Sequence, residues 1–273
     1  MPELPEVETI RRSLQPRVLG RCIVEVEVRE PRLRRRIADN FAARLVGQRI
    51  DGIERRAKYL LFRLASGDCL VAHFGMSGTI IVHDTRVRPE PHDHVRLRLD
   101  DGAELVLNDP RRFGLLLLVA AGEMNDLAEL RDLGVDPLEG DLSAESLAAA
   151  LRRSRRPVKN LLLDQTVLAG LGNIYATEAL FRAGIRPTRR ACRVRRAEVV
   201  RLLDSIRAVL REAVDLGGSS ISDYRDGNGR PGYFQLRLRV YDRKGEPCSL
   251  CGAAIRRVVQ TGRSSFYCPQ CQR

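Results

Sequence analysis

The sequence predicts an α+β, multidomain chain: a leading helix with a strand-rich sandwich or barrel, then a helical region, then a small cysteine-bearing module. Three observations predict it. Apolar residues alternate with period two over roughly residues 20–120, three- and four-residue apolar spacing takes over from about residue 125, and two Cys-x-x-Cys pairs close the chain. With 273 residues the chain can bury a real core.

The opening stretch MPELPEVETIRR places Val7, Ile10 and Leu14 at helical spacing. CIVEVEVRE, YLLFRLASGDCLVAHF, GTIIVHD, HVRLRLDDGAELVLND and GLLLLVA then read as strands separated by Gly, Asp and Pro turns. LSAESLAAALRRS has the spacing of an amphipathic helix with Ser143 as its N-cap. VKNLLLDQTVLAGLGNIYATEALFRAGI holds two short helices around a glycine-bearing turn, and Asn173 is placed to cap the second. RRAEVVRLLDSIRAVLREAV reads as a long helix. GGSSISDYRDGNGRPGYF, with five glycines, reads as a mobile loop.

Charge narrows the function. The chain carries a formal net charge of +12 with pI near 10.0, and arginines cluster in PRLRRR, LRRSRR and RPTRRACRVRR. Any one cluster suits a solvated surface; three on a basic chain suggest a polyanion partner, nucleic acid first, because paired phosphates release counterions. Lysine is confined to Lys58, Lys159 and Lys244, which marks them as positions where a compact ammonium is of use. No apolar stretch approaches the roughly 20 residues of a membrane span, and signal-peptide features are missing, so the expected location is cytoplasmic.

Cys248-x2-Cys251 and Cys268-x2-Cys271 are separated by sixteen residues, a spacing that brings four thiolates to one tetrahedral ion with a hairpin between the pairs. The expected ligand is one structural zinc with a full coordination shell. Arg263 sits beside a glycine where a turn would project it. Cys22, Cys69 and Cys192 read as small buried or inert thiols.

The N-terminus offers chemistry. Removal of Met1 would leave Pro2 as a secondary α-amine, with a pKa of about 8 against about 10.4 for lysine, so more of it is neutral and nucleophilic near pH 7. Such an amine can attack an aldehyde-like carbon and form an iminium, with Glu3 beside it to exchange protons. The same Pro and Glu residues equally suit the first turn of a helix, and residue types alone do not choose.

PELPEVETIRR, RRAKYLL, HFGMSG, HDH, DPRRFG, LLLDQ, GLGNIYATEALF, PGYF and the terminal cysteine pairs together resemble the formamidopyrimidine-DNA glycosylase family, in matching order along the chain. The resemblance implies an N-terminal β-sandwich with leading helix over 1–125. A helix–two-turns–helix DNA-binding domain follows over 126–236, with a lesion-capping loop at 217–234, and a zinc finger over 237–273. It implies a monomeric base-excision enzyme acting on damaged double-stranded DNA. Pro2 becomes the nucleophile, Glu3 the general acid/base, and Lys58 and Arg263 helpers of elimination through phosphate and proton transfer. Met76, Arg111 and Phe113 match the trio that fills the space left by an extruded nucleotide. His92, Lys159 and Asn173 match DNA contacts, and His73 touches phosphate or packs structurally. Read without the resemblance, DPRRFG is a proline turn whose Phe packs in the core.

Glu6 is expected to support Pro2 and Glu3, and Glu8 to lie on solvated helix surface. Two departures from the family pattern, GLGN and Phe74 before GMSG, read as packing changes. No arginine of 152–156 matches the family's basic contact there. An endonuclease VIII-like enzyme for oxidised pyrimidines is the nearest alternative; LPEVE, Phe113 and the long glycine loop favour the purine branch. A non-catalytic damage sensor is the alternative from another class.

Overall fold

Val7, Ile10, Leu14 and Val18 line one face of helix α1 (Leu4–Val18) and are fully buried in the computed structural model, which describes residues 2–221 and 224–273. Met1, and Ser222 and Asp223 within the segment read as a lesion-capping loop, lie outside the described residues. The chain divides into two units, residues 1–131 with 216–233, and residues 132–215 with 234–273.

In the first unit, α1 is followed by β1 (Ile23–Val28), α2 (Phe41–Leu45), β2 (Ile50–Arg56), β3 (Tyr59–Leu64), β4 (Cys69–His73), β5 (Thr79–His83), β6 (Asp93–Leu99), β7 (Glu104–Asn108), β8 (Leu115–Val119) and α3 (Ala128–Arg131). Two four-stranded antiparallel sheets form, ordered β1-β6-β7-β5 and β2-β3-β4-β8. Their inward residues, among them Ile53, Leu60, Phe62, Val82, Leu97 and Leu107, share one core with the buried face of α1. The sandwich is therefore the form the alternation takes, and the barrel is not.

Strand β2 escapes period-two reading. Its apolar residues Ile50 and Ile53 are three apart because the pairing with β3 shifts register between Ile50 and Gly52. A bulge hides a strand from an alternation search.

The second unit holds α4 (Ala144–Arg152), α5 (Val158–Leu162), α6 (Asn173–Arg182), α7 (Arg196–Asp215) and the hairpin β9 (Arg256–Gln260) with β10 (Arg263–Tyr267). Ser143 caps α4, its hydroxyl accepting the Ser146 N–H at 3.0 Å. Between α5 and α6 the chain makes successive turns threaded by the Gln165 amide. Gln165 donates to the carbonyls of Leu163 at 3.0 Å and Leu171 at 2.9 Å and accepts the Gly170 N–H at 2.9 Å. Gly172, not Asn173, is the N-cap of α6. The extended backbone of Gly172 leaves Asn173 already inside the first turn, with its side chain available to another partner.

The glycine-rich segment after α7 belongs by its contacts to the first unit. Its glycines serve close approach: a Cβ on Gly232 would lie 2.2 Å from the Gly218 carbonyl oxygen, and one on Gly227 2.6 Å from Leu14. Gly227 accepts from Val82 N–H and donates to the Ser13 hydroxyl, both at 2.8 Å. Contrary to the mobile loop expected from five glycines, its described residues are pinned to α1 and to the edge of β5.

Candidate functional site

The first turn of α1 is built to hold the residues before it. Pro2 and Glu3 are buried, and the Glu3 N–H donates to the Glu6 carboxylate at 2.9 Å. The other Glu6 oxygen accepts the Ser219 N–H at 2.8 Å, while the Tyr224 hydroxyl donates to the Glu6 carbonyl at 3.2 Å. Burial, then the neighbouring Glu6 charge, raises the Tyr224 pKa, which keeps the phenol a neutral donor. Gly218, in the left-handed region at φ +82°, would bring a Cβ within 3.0 Å of Glu6 Oε1 and of the Tyr224 ring. Glu6 thus joins the helix start to the 216–233 segment, the supporting position expected of it.

Glu8 is not solvated helix surface. It is 3% exposed and accepts from Arg11 at 2.8 Å, from Arg12 at 2.7 Å and from Arg55 at 3.2 Å. Burial alone would raise its pKa; hydrogen bonds from Arg11 and Arg12, with the charges of Arg11 and Arg55, outweigh it and hold the carboxyl at about 2. Arg55 Nη1 also donates to the Ala57 carbonyl at 3.4 Å, so the ion pair steadies the β2–β3 turn that carries Lys58. A folded-state pKa below the unfolded one contributes stability that is complete above about pH 4.5 and fades as pH falls toward 2. Glu8→Gln is accordingly expected to cost about 2 kcal/mol at pH 7. The gap in melting temperature between variant and wild type should close in acid; a gap that is constant from pH 7 to pH 3 would exclude this ion-pair account.

Lys58 follows Ala57, a left-handed residue at φ 55°, and is itself 8% exposed. His73, at the end of β4, packs against Tyr59 with ring centroids 4.8 Å apart and planes tilted by 47°. Its Nδ1 accepts the Gly75 N–H at 3.0 Å, which leaves Nε2 to carry the proton. Burial, then the charges of Arg34 and Lys58, pushes its pKa down to about 4. His73 is therefore a neutral ring that fixes a turn and offers one N–H.

Two loops come together at the end of the sandwich. The turn after β4 exposes Met76 (45%), and the loop after β7 exposes Phe113 (48%), with the Arg111 guanidinium 4.8 Å over the Phe113 ring. Phe113 does not pack in the core. Asp109, 0% exposed, accepts from Ser77 of one loop at 2.8 Å and from Gly114 N–H of the other at 2.7 Å. His92 is exposed at φ 70°; His94 is instead structural, its Nε2 bonded to the Asp109 carbonyl at 2.8 Å. Of the five non-glycine residues with positive φ among the described ones, Ala57, His92, Arg112 and Thr261 each lie within two positions of an expected site residue. Strain of this kind gathers where side chains must be aimed.

In the second unit, Arg263 is exposed directly after the tight turn Thr261–Gly262, whose φ values of 45° and 75° suit a two-residue hairpin. Lys159 and Asn173 are turned toward that hairpin. Lys159, 1% exposed, donates to the Ser264 carbonyl at 2.8 Å and the Ser265 hydroxyl at 2.7 Å, and the Asn173 amide reaches the Ser264 carbonyl at 3.1 Å. Both brace the strand that starts with Arg263. Some arginines of the basic runs are also engaged internally: Arg156 with Asp164 at 3.0 Å, Arg189 with Glu198 at 2.9 Å, and Arg186 over the Tyr267 ring at 4.9 Å.

The four cysteine sulfurs lie within 4.8 Å of one another, with Cys248–Cys271 at 3.9 Å and Cys251–Cys268 at 3.4 Å. A tetrahedral zinc with bonds of about 2.3 Å sets its thiolates about 3.8 Å apart, so these residues fit one ion. Of the remaining thiols, Cys69 is buried, and burial first, with Arg63 opposing, pushes it up to about 11; Cys22 is half-buried, and Cys192 is exposed rather than buried.

Family profiles match in three blocks: a formamidopyrimidine-DNA glycosylase N-terminal domain over residues 1–116, a formamidopyrimidine-DNA glycosylase H2TH domain over 133–225, and a zinc finger found in FPG and IleRS over 245–273. Formamidopyrimidine-DNA glycosylase of Ruegeria pomeroyi is 47% identical over 284 residues, and that of Dinoroseobacter shibae 48%, each alignment covering 100% of both chains. The chain belongs to the formamidopyrimidine-DNA glycosylase family. Its structure is similar to those of family members. The MutM (Fpg) protein of Thermus thermophilus gives a TM-score of 0.89 at 46% identity, covering 99% of this chain and 98% of that one. Lactococcus lactis Fpg in complex with a Fapy-dG-containing DNA gives 0.91 at 35%, covering 99% and 100%.

Against the structure, reading the sequence missed Asp109, Arg55 and the burial of Glu8. An acid in a proline turn and charges in a strand are the commonest surface signals, and only packing turns them inward.

Proposed function

We propose that this chain is a bifunctional DNA glycosylase and abasic-site lyase of base excision repair that removes oxidised purines, 8-oxoguanine and formamidopyrimidines, from double-stranded DNA. It would act as a monomer on bacterial nucleoid DNA in the cytoplasm. The observation that carries the reading is the buried Pro2–Glu3 pair, held by Glu6 at the start of α1 in a chain that matches the family from end to end. Family members bound to Fapy-dG DNA and to abasic-site DNA support the substrate class.

Once Met1 is removed, the Pro2 amine attacks C1′ of the damaged nucleotide. The C1′–N bond breaks, its electron pair leaves with the base, and the amine gives up its proton. The C1′–O4′ bond then breaks as Glu3 delivers a proton to O4′, which opens the sugar ring and leaves the iminium. Loss of a C2′ proton then expels the 3′ phosphate. A second elimination expels the 5′ phosphate, and water releases the amine. Lys58 and Arg263 bind phosphate and assist these proton transfers, with His92 and Asn173 in the DNA contacts, Lys159 serving that surface through the hairpin strand it braces, and His73 offering its N–H. Met76, Arg111 and Phe113 occupy the space of the extruded nucleotide, with Arg111 toward the orphaned partner base. Cys248, Cys251, Cys268 and Cys271 hold one zinc, which supplies rigidity to the hairpin bearing Arg263.

The test is excision from duplexes carrying 8-oxoguanine opposite cytosine or thymine glycol. Faster release of 8-oxoguanine is expected. A preference for thymine glycol would establish the pyrimidine-directed alternative, and lesion binding without release the sensor.

A further inference from the structure

Asp109 follows β7 and is fully buried, yet among the described residues its carboxylate bonds to no cationic side chain; its partners are one hydroxyl and two backbone amides. Oδ1 accepts the Ser77 hydroxyl at 2.8 Å and the Arg111 N–H at 3.3 Å, and Oδ2 accepts the Gly114 N–H at 2.7 Å. Ser77 is the neighbour of Met76, Arg111 is itself one of the exposed trio, and Gly114 is the neighbour of Phe113. One side chain therefore bonds beside or at each member. Its backbone extends the same grip, donating to the His92 carbonyl at 3.1 Å and accepting from His94 at 2.8 Å.

The two loops also interlock without side chains. A Cβ on Gly75 would stand 2.4 Å from the Phe113 carbonyl carbon, and one on Gly114 2.9 Å from Asp109 Oδ2. Contact this close fixes where each loop can go only if something holds the pair together, and the Asp109 carboxylate spans that joint.

We propose that Asp109 is a positioning residue that presets the spacing of Met76 against the Arg111–Phe113 pair, so that the wedge enters DNA already formed. This rests on the reading that the trio fills the space of an extruded nucleotide. A preformed wedge avoids the ordering cost that two flexible loops would incur on binding. Asparagine at this position keeps the shape but turns one acceptor into a donor facing the N–H of Arg111 or of Gly114, neither of which can accept, and that sets the joint against itself.

The test measures dissociation constants of the full-length protein for a duplex with a tetrahydrofuran abasic analogue opposite cytosine and for the undamaged duplex. Asp109→Asn, Phe113→Ala and the double variant are compared, with melting temperatures alongside. Asp109→Asn is expected to weaken lesion binding about 10-fold or more while undamaged binding changes little, and to add less than about 2-fold once Phe113 is alanine. Equal losses in both backgrounds, or an unchanged lesion affinity in a folded variant, would overturn the positioning role. Should Asp109→Asn fail to fold, Ser77→Ala loosens the Met76 side alone. A few-fold loss that disappears in a Met76→Ala background then supports the proposal, and no loss or an additive one overturns it. If Phe113→Ala and Met76→Ala themselves leave lesion binding intact, the wedge reading fails first and takes the positioning role with it.

Discussion

Pro2→Gly is expected to lower covalent trapping on damaged DNA by at least about 10²-fold when the reaction is reduced with borohydride. The pyrrolidine ring makes the attacking amine secondary and, by locking rotation about N–Cα, fixes the direction of its lone pair, so glycine loses both the nucleophile's character and its aim. The α1 cap keeps Glu3 in place through its N–H bond to Glu6, so the variant should still fold and bind. Glu3→Gln is expected to separate the steps: base release falls by about 10²–10⁴-fold, while strand cleavage at a pre-formed abasic site falls less. Wild-type trapping by Pro2→Gly would move the nucleophile elsewhere, with Lys58 next in line. Because Met1 would block the amine, the mass of the purified protein must show its loss wherever trapping is seen.

Removing zinc should have the second large effect. The hairpin module has a small core of its own, Val240, Cys248, Ile255, Phe266 and Cys268 packed with Phe181 of α6. So small a core does not fold a module unaided, and structural zinc contributes on the order of 10 kcal/mol to such sites. Cys268→Ser, or chelation of the wild type, is expected to disorder β9–β10, release the Ser264 carbonyl from Lys159 and Asn173, and weaken DNA binding by at least about 10-fold. Metal analysis should find one zinc per chain before chelation. Full DNA affinity in metal-free protein would rule out the finger as a grip. The α6 side is expected to survive, since Glu178 accepts backbone N–H groups of Arg239, Val240 and Tyr241 without any help from the cysteines.

The two effects separate chemically. Loss of Pro2 leaves binding and removes the adduct, whereas loss of zinc removes binding first. The Asp109 variant stands apart from both, because its loss is confined to damaged duplex and depends on Phe113.

Much of this chain is legible from residues in order. Alternation gave the sandwich strands, the Ser143 cap and apolar spacing gave the helices, and cysteine spacing gave the metal site. Those signals are local, set by the pleat, the helical repeat and the reach of two thiolates. Where one local signal has two physical meanings, order alone does not choose. An acid near a helix start is solvated or buried, and Glu8 is buried because Arg55 of a strand 47 residues on lies against it. Glycines confer freedom or permit contact, and those of 217–232 permit contact because α1 and β5 lie beneath them. A phenylalanine after a proline turn packs inward or projects, and Phe113 projects from a loop whose next residue, Gly114, donates its N–H to the buried Asp109.

What the sequence determined by itself was the kind of element at most places, though not at α2 or β2, the zinc ligands and, through many motifs in order, the family. What only the tertiary structure decided was direction: which charges face inward, which loops are tied, and which side chains are left exposed at a rigid edge. The reason is that burial and pairing depend on partners far away in the chain, and no local pattern encodes who those partners are.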